Sequence, residues 1–389
     1  MLRSTERTLV THTGSLPRPD ELIEVMVAED QGKDVDRSEY EDKLRRAVDG
    51  IVRRQMELGV DIVDDGELSK RGFAVYAHER LGGLTETGRA RVSPWADSRE
   101  SQSFPEFYAP TYQPSGGKPT PSSMQMVCTG PITYQGQARL AQDLANLTAA
   151  VKGNSATEAF VPAISPCDVA GNQLNEFYSN DNDFLYAIAD ALHVEYQAII
   201  DAGFLLQIDD PRLINYYVKN PGLSVQQCRA WAEEQIEAIN HALAGIPEDR
   251  VRYHTCYGIN MGPRVHDMEM KDFIDIVLKI HAGAFSFEAA NPRHEHEWRV
   301  WEDVKLPAGK SIIPGVITQS SVVVEHRELV AERLLRFASV VGCENVIAGS
   351  DCGFGTQALA TPEIHPSIVW AKFQAMSEGA RLASAKLWR

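Results

Sequence analysis

The sequence predicts an α/β protein, a (β/α)8 TIM barrel that carries an extra strand or hairpin excursion near residues 85–130. Short β-like runs alternate with segments of helical apolar period along most of the 389 residues, a pattern typical of a parallel sheet. The predicted strands also end in acids, thiols and imidazoles, as barrel strands do at their catalytic face. The economical interpretation is one catalytic domain over 1–389, with an insertion at about 88–130.

Nine strands are predicted, one more than the eight of such a barrel. They lie at 8–15, 61–68, 124–130, 159–166, 204–211, 251–258, 284–290, 311–317 and 345–352. Helices are predicted near 37–58, 136–151, 183–202, 223–245, 270–281, 326–341 and 362–385. The strand at 124–130 follows a Pro-, Ser- and Gly-rich stretch, so we expect it to lie outside the ring and to pair with 89–94 in an antiparallel excursion. A doubly wound sheet is the alternative.

Composition excludes several kinds of partner. A formal net charge of -16 disfavours nucleic acid and anionic membranes, because both need a basic surface. No uncharged apolar run reaches the roughly eighteen residues of a membrane span, and the N-terminus has no signal-peptide core. We therefore expect a cytoplasmic protein that binds small molecules. Six scattered cysteines favour free thiols or metal ligands over a disulfide framework.

Polar residues at the predicted strand ends suggest a metal site. His254 and Cys256 stand two apart in VRYHTCYG, so their side chains share one face of a strand. With Glu288 and Cys352 they offer one nitrogen, one oxygen and two sulfurs, a donor set that suits tetrahedral Zn²⁺. Only the His-x-Cys pair is local in sequence, and a single acid after a strand is as readily a helix cap. The other cysteines are interpreted as small apolar residues: Cys128, Cys167, Cys228 and Cys343.

Six stretches resemble the C-terminal catalytic barrel of cobalamin-independent methionine synthase and its shorter stand-alone relatives. They run in family order: THTGSLPRP at 11–19, DIVDDGELSKRGF at 61–73, LQIDDP at 206–211, YHTCY at 253–257, FSFEAANPRHEHE at 285–297 and NVIAGSDCGFG at 345–355. The resemblance implies a zinc-dependent thiol alkyltransferase in which a zinc-bound substrate thiolate attacks an electrophilic carbon. Methyl transfer to homocysteine, which gives methionine, is the leading expectation.

The resemblance also implies roles for individual residues. His254, Cys256, Glu288 and Cys352 match the zinc ligands. A coordinated thiol is deprotonated near neutral pH, so the metal is expected to supply the nucleophile. Glu288 is expected to be the ligand that yields to the substrate sulfur, which gives it a catalytic role.

A second set of residues is expected to hold the amino-acid end of the substrate. Gly14 and Ser15 match the loop that binds the amino-acid thiol, where backbone N–H groups can donate to a carboxylate. Glu67 and Asp209 match the acids that bind its ammonium group. His12, next to this loop, is expected to touch the substrate as a second catalytic residue.

The sequence departs from the long enzymes of this family in three respects. The match begins near residue 11, so we expect no additional N-terminal barrel. The Trp-containing segment of the folate site has no clear counterpart. Thr318, Gln319 and Ser320 stand where the long enzymes carry Asp-x-His, which suits proton transfer to a leaving group. Methyltetrahydrofolate as the donor is therefore in question, and a methyl-corrinoid protein is the other donor considered.

Other functions stay open. The epoxyalkane:coenzyme M transferases are similar in length and in VEHRELVAERLLRFASVVG at 324–342. A sulfonated thiol would need cations more than acids, and the candidates are Arg18, Lys70, Arg71, Arg212 and Arg293. Retention of Glu67 and Asp209 favours an amino-acid thiol. An unrecognised alkyl transfer or demethylation is a further option.

A non-catalytic zinc-binding barrel is the alternative from another class, although the polar strand ends favour catalysis. His294 and His296 are expected to line the mouth or contact substrate instead of binding metal. The resemblance to the family is the only reason to consider a homo-oligomer.

Overall fold

The computed structural model describes residues 1–90, 95–109, 124–258, 262–359 and 364–388. Its strands are β1 (Ile62–Val63), β2 (Leu81–Ala90), β3 (Met124–Tyr134), β4 (Glu158–Ile164), β5 (Leu174–Asn175), β6 (Leu205–Asp209), β7 (Val251–His254), β8 (Ala284–Phe287), β9 (Ser311–Ile317) and β10 (Gly349–Ser350). Within these ranges, no helix is long and apolar enough to cross a membrane.

Helices follow most of the strands. The α-helices are α1 (Asp20–Asp30), α2 (Arg37–Glu57), α3 (Val75–Arg80), α4 (Arg99–Ser103), α5 (Pro105–Tyr108), α6 (Gln137–Asn154), α7 (Pro166–Asn172), α8 (Asp181–Asp201), α9 (Arg212–Lys219), α10 (Val225–Ala242), α11 (Ile274–Val277), α12 (Val300–Asp303), α13 (Arg327–Val341) and α14 (Pro366–Leu387). Short 3-10 helices lie at Glu248–Arg250, Met270–Asp272, Glu295–Arg299 and Cys343–Asn345.

A curled parallel sheet forms the centre of the fold. Its seven strands follow the order β1-β4-β6-β7-β8-β9-β10. The segment around Val10 lies between the two outer strands: Asp61 N and Ile62 N donate to Val10 O at 2.8 and 3.2 Å, and Thr11 N donates to Ala348 O at 2.8 Å. The predicted α/β class with a parallel sheet is confirmed.

The predicted excursion is present as a separate sheet of three strands, β2-β3-β5. β2 and β3 are antiparallel, with Leu84 opposite Cys128 and Glu86 opposite Met126, and β5 joins β3 in parallel. The prediction that 124–130 lies outside the central sheet is confirmed. Its predicted partner at 89–94 falls mostly outside the described residues, and the pairing runs instead along residues 81–90. The two glycines at 82 and 83 hid this strand from a search for apolar alternation.

The interior of the curled sheet is filled by one layer of apolar side chains. The layer consists of Leu9, Ile62, Phe160, Leu205, Ala284, Ile313 and Ile347. β7 contributes the fully buried Arg252, whose guanidinium lies 3.9 Å from the Phe160 ring centroid. Arg252 also donates to Thr11 Oγ1 at 2.9 Å and to His12 O at 2.6 Å. A buried cation is costly unless its donors are used, and these bonds fix the segment that precedes Gly14.

Some of the predicted helices agree with the structure, and others do not. α2 begins after Asp36, whose carboxylate accepts from two backbone N–H groups, and it buries residues at three- and four-residue spacing. The prediction of one helix over 270–281 is wrong. At Phe273 the backbone leaves the helical region, with φ -139, so the segment divides into a 3-10 turn and the single turn α11. α1 was not predicted, because it buries only Leu22 and Met26 in an otherwise charged segment.

Candidate metal centre and active site

A cavity of about 1200 Å³ opens at the carboxyl ends of the central strands. Such a volume exceeds that of an amino acid and lies at the upper end of ordinary ligand sites. The loops after six strands of the central sheet and after the Val10 segment contribute to its lining. Among the lining residues are Thr13, Ser15, Glu67, Asp168, Asp209, His254, Cys256, Gln319 and Cys352.

Three of the four predicted metal ligands come together in this cavity. Ligand atoms of His254, Cys256 and Cys352 all lie within 4.8 Å of one another, and all three residues are buried. The Nδ1 of His254 is paired with Ser286 Oγ at 3.3 Å, whereas its buried Nε2 has no hydrogen-bond partner among the described residues. His254 therefore keeps one ring nitrogen that is not used in hydrogen bonding among the described residues.

The two cysteines behave electrostatically as a pair. The Cys352 thiol donates to Cys256 Sγ at 3.4 Å. This hydrogen bond lowers the pKa of Cys256 well below its usual value, while it raises the pKa of Cys352. A bound cation would favour deprotonation of both thiols.

Glu288, the fourth predicted ligand, has other partners. Its Oε1 accepts from Tyr257 N at 2.9 Å, and its Oε2 accepts from Asn291 Nδ2 at 2.8 Å and Arg293 at 3.2 Å. Burial, and then the charge of Asp351, raise the pKa of Glu288 well above its usual value. The compact ligand group therefore consists of His254 and the two cysteines, and metal ligation by Glu288 stays a prediction.

The residues predicted to bind the amino-acid end lie on other loops of the cavity wall. Gly14 has φ +126, and a Cβ at this position would lie 2.7 Å from Pro162 Cγ and 3.0 Å from Glu67 Oε1. Glycine is required here both by the backbone conformation and by this close approach. Ser15 Oγ pairs with Thr356 Oγ1 at 3.1 Å. Gly14, Ser15 and Glu67 are therefore neighbours.

Glu67 has a left-handed backbone conformation, with φ 54, which residues other than glycine seldom adopt. Asp65 Oδ1 accepts from its backbone N at 2.9 Å, and Arg18 donates to its carbonyl at 2.7 Å. Lys70 Nζ pairs with Oε2 at 3.0 Å, so that Oε1 faces the Gly14 loop. Strain of this kind concentrates at functional sites, where the surrounding contacts maintain it.

Asp209 is buried at the end of β6 and lines the same cavity. Its Oδ1 accepts from Gln207 Nε2 at 2.7 Å, and the same amide donates to Thr13 O at 2.7 Å. Burial raises the pKa of Asp209 to about 8. A ligand cation would favour the ionised form of this carboxyl group.

His12 lies behind the cavity wall and is not among the described residues that line it. Its Nδ1 accepts from Gly14 N at 3.1 Å, and its Nε2 pairs with Gln55 Oε1 at 2.8 Å. Burial lowers the pKa of His12 to about 3. The neutral ring thus stabilises the Gly14 loop from the side away from the cavity. This position does not favour the predicted contact between His12 and the substrate.

Four of the five cations that could have held a sulfonate have internal partners, namely Arg18, Lys70, Arg71 and Arg293. Arg18 donates to four backbone carbonyls, those of Glu67, Leu68, Lys70 and Gly355. Lys70 pairs with Glu67. Arg71 pairs with Glu79, and Arg293 pairs with Asp267 and Glu288. The sequence identified these residues as charged but gave no sign that their charge is already used.

The two histidines of the 290–297 segment lie apart from the metal group. His294 stacks on Tyr257 with centroids 3.9 Å apart and contacts Glu297 and Asp267 at 2.8 and 3.3 Å. His296 is exposed. The cavity wall also includes residues that were not assigned to the site from the sequence, among them Asp168 and Gln319. The position of Asp168 after a predicted strand could have indicated it, and Gln319 lies in the segment that departs from the Asp-x-His of the long enzymes.

A curled parallel sheet with a buried Cys/His group and paired acids at the carboxyl ends of its strands defines an α/β enzyme with a candidate metal centre. The family described as "Cobalamin-independent synthase, Catalytic domain" matches residues 8–167 and 176–368. The chain belongs to the cobalamin-independent methionine synthase family.

Relatives and solved structures agree with this family. A methionine synthase of Sulfolobus acidocaldarius is 26% identical over 354 residues, covering 90% of this chain and 87% of the relative. A methionine synthase of Pyrococcus horikoshii is 22% identical over 342 residues, covering 87% of this chain and 84% of the relative. The structure of a B12-independent methionine synthase from Shewanella sp. W3-18-1 in complex with selenomethionine has a TM-score of 0.72 at 18% identity. The match covers 98% of this chain and 99% of that structure's chain. The last comparison shows the shared fold.

Proposed function

We propose that this chain is a zinc-dependent methyltransferase that methylates the thiol of homocysteine to give methionine. The observation that carries the proposal is one cavity that contains both the His254, Cys256 and Cys352 group and the two carboxylates Glu67 and Asp209. Sulfur-containing metal ligands and two carboxylates that can bind an ammonium group lie in the same cavity. This combination suits a substrate with a thiol at one end and an amino acid at the other.

The donor set fits zinc. One imidazole nitrogen and two sulfurs are ligands that Zn²⁺ accepts, and the buried His254 Nε2 lacks any other partner among the described residues. Three protein ligands with one open position are typical of catalytic zinc. Zinc bound by these residues would supply a Lewis acid that keeps the substrate thiol deprotonated near neutral pH. Glu288 stays a candidate fourth ligand.

The protein residues orient the substrate. Glu67 Oε1 and Asp209 would accept hydrogen bonds from the ammonium group, while the backbone of the Gly14–Ser15 turn would bind the carboxylate. The substrate sulfur then attacks the methyl carbon, a C–S bond forms, and the bond from that carbon to the leaving group breaks with its electron pair. Holding both ends of the thiol substrate reduces the entropic cost of this alignment.

Homocysteine is favoured over coenzyme M. Four of the five candidate cations make internal contacts, and the carboxyl groups of Glu67 and Asp209 suit an ammonium group better than a sulfonate. The names of the Sulfolobus and Pyrococcus relatives support the same substrate. A purely structural zinc site is disfavoured, since all three residues of the metal group line an open cavity.

Several broader expectations are part of the same proposal. We propose that the Val10 segment closes the central sheet as the eighth strand of a (β/α)8 barrel, and that residues 1–389 form one catalytic domain. A cytoplasmic location, the methyl donor and any homo-oligomer stay predictions from the sequence, and so does a methyl-corrinoid partner.

The test is zinc X-ray absorption on the purified protein, without thiol, with homocysteine and with coenzyme M. We expect one zinc per chain and one additional sulfur neighbour with homocysteine alone. The Cys128→Ser variant is the control, because Cys128 lies on β3, outside the central sheet. Absence of zinc, or a ligand shell that responds to neither thiol, would remove the proposal. A response to coenzyme M alone would favour the epoxide-opening chemistry.

A further inference from the structure

Gln319 is a buried residue in the wall of the cavity and has no role in the proposed binding of homocysteine. Its side chain is 5% exposed, it lines the cavity, and its Oε1 is buried without a hydrogen-bond partner among the described residues. A buried polar atom without a partner is unfavourable, so it requires an explanation. A bound ligand that donates a hydrogen bond is the direct one.

The loop that carries Gln319 is well fixed. Thr318 N donates to Glu325 Oε1 at 2.8 Å, Thr318 Oγ1 pairs with Ser320 Oγ at 2.7 Å, and Ser320 N donates to Thr318 Oγ1 at 3.1 Å. Glu325 in turn pairs with the buried Lys372 at 2.9 Å. The residues on both sides of Gln319 thus have partners within the protein, and the loop holds the amide in the cavity wall.

The order of the strands places Gln319 on the metal side of the cavity. It follows β9, which lies between β8 and β10, the strands that precede Glu288 and Cys352. The amino-acid side is elsewhere, since β6 with Asp209 is three strands away and Glu67 follows β1. A group bound beside Gln319 would therefore lie near the reacting sulfur and away from the ammonium of the thiol substrate.

We propose that Gln319 binds the second substrate, the methyl donor, by accepting a hydrogen bond from a neutral N–H group such as that of a carboxamide or a lactam. This inference rests on the proposed function. A neutral amide oxygen matches a neutral N–H donor, whereas a cationic donor group would prefer the carboxylates on the opposite side. The cavity volume of about 1200 Å³ leaves room for a donor larger than the thiol substrate.

In the reaction, Gln319 holds the donor while the substrate sulfur displaces the leaving group from the methyl carbon. The amide itself transfers no proton. A site built to hydrogen-bond a substrate N–H discriminates strongly against analogues that lack it, because its buried oxygen is then left unpaired. Gln319 is thus a specificity-determining residue for the donor and not a ligand of the metal or of homocysteine.

The experiment compares the wild-type protein with Gln319→Leu, which keeps the side-chain volume and removes the acceptor. Ser320→Ala is the matched control, because its hydroxyl is paired inside the same loop. Three methyl donors are used with homocysteine: methylcobalamin and 5-methyltetrahydrofolate, which carry amide or lactam groups, and methyl iodide, which carries no hydrogen-bonding group. Equilibrium binding of the first two donors is measured alongside turnover.

We expect Gln319→Leu to lower kcat/KM for the amide-bearing donor that the wild type uses by about tenfold or more, with weaker donor binding. Methylation by methyl iodide and the KM for homocysteine should change less than about twofold. An equal loss with methyl iodide would overturn the inference, as would unchanged kinetics with every donor. Failure of the wild type to methylate homocysteine with methyl iodide would instead contradict the proposed function.

Discussion

Cys256 Sγ and Cys352 Sγ lie 3.4 Å apart although the two residues are separated by 96 positions in the chain. They follow β7 and β10, which have β8 and β9 between them in the central sheet. The curl of the sheet therefore brings the two loops together. His254 completes the group, so the candidate metal site forms only in the folded chain.

The first prediction concerns zinc content. Cys256→Ser and Cys352→Ser should each reduce bound zinc from one per chain to near zero, because the hydroxyl of serine is a poor substitute for a thiolate ligand. Metal analysis after dialysis against a weak chelator measures this. Cys128→Ser should retain full zinc, since its sulfur donates to Gly130 O at 3.2 Å in the separate sheet. Equal zinc in all three variants would contradict the ligand assignment.

The second prediction concerns Arg18, which connects the loop of Glu67 to the loop that follows Cys352. Lysine at this position keeps the charge but offers three donors in place of the planar fork of arginine. Arg18→Lys should raise the KM for homocysteine by about tenfold, because the strained Glu67 backbone loses its support. Zinc content should stay at one per chain.

Arg45→Lys is the control for Arg18→Lys, because Arg45 is exposed on α2 and its ion pair is with Asp42, away from the cavity wall. Steady-state kinetics gives the KM for homocysteine of both variants, and metal analysis gives their zinc content. A loss of zinc in Arg18→Lys would show that Arg18 maintains the whole mouth of the cavity. An unchanged KM for homocysteine would show that the conformation of Glu67 does not depend on Arg18.

The third prediction concerns recognition of the substrate ammonium. Glu67→Gln removes the charge while it preserves the shape, so kcat/KM for homocysteine should fall about 100-fold, the cost of truncating a buried charge pair. With 4-mercaptobutanoate, which lacks the amine, the same substitution should have little effect. A competition assay with both thiols gives the ratio directly. Equal losses for the two thiols would mean that Glu67 only stabilises the loop.

The fourth prediction concerns pH. Burial lowers the pKa of His12 from 6.5 to about 3, so the unfolded chain binds more protons than the folded one between these values. Stability therefore rises with pH through this window, by at most about 1.4 kcal/mol per unit. His12→Asn can retain an acceptor for Gly14 N and abolishes the titration. Urea unfolding at about pH 5 and pH 7 should show a smaller rise in the variant; equal slopes would contradict the assignment.

The sequence predicted much of the fold because periodicity reports which residues face the core. Eight of the nine predicted strands correspond to strands in the structure, and the one predicted to lie outside the central sheet does so. The segment predicted at 8–15 has only an isolated parallel bridge, at Val10. Helix α1 and the division at Phe273 were missed, since neither produces a strong apolar period. The extent of β2 was missed for the same reason.

The chemistry of the site was predictable only in outline. His254, Cys256 and Cys352 were expected together because strand ends of a parallel sheet meet at one side. The partners of Glu288, Arg18 and His12 were not predictable. They include hydrogen bonds between segments that are distant in sequence: Glu288 with Tyr257, Arg18 with Gly355 and His12 with Gln55. The residue type alone does not reveal whether its donors or acceptors are already used.

By itself the sequence determined the α/β class, the resemblance to one family and the identity of several residues that line the cavity, including His254, Cys256 and Cys352. Local propensity, alternation and motif spacing are sufficient for these, because each is encoded within short segments. Only the tertiary structure decided which charges are neutralised internally, which histidine lies behind the wall and which amide is left for a ligand. Those outcomes depend on burial and on long-range contacts, which fix the free energy of every polar group.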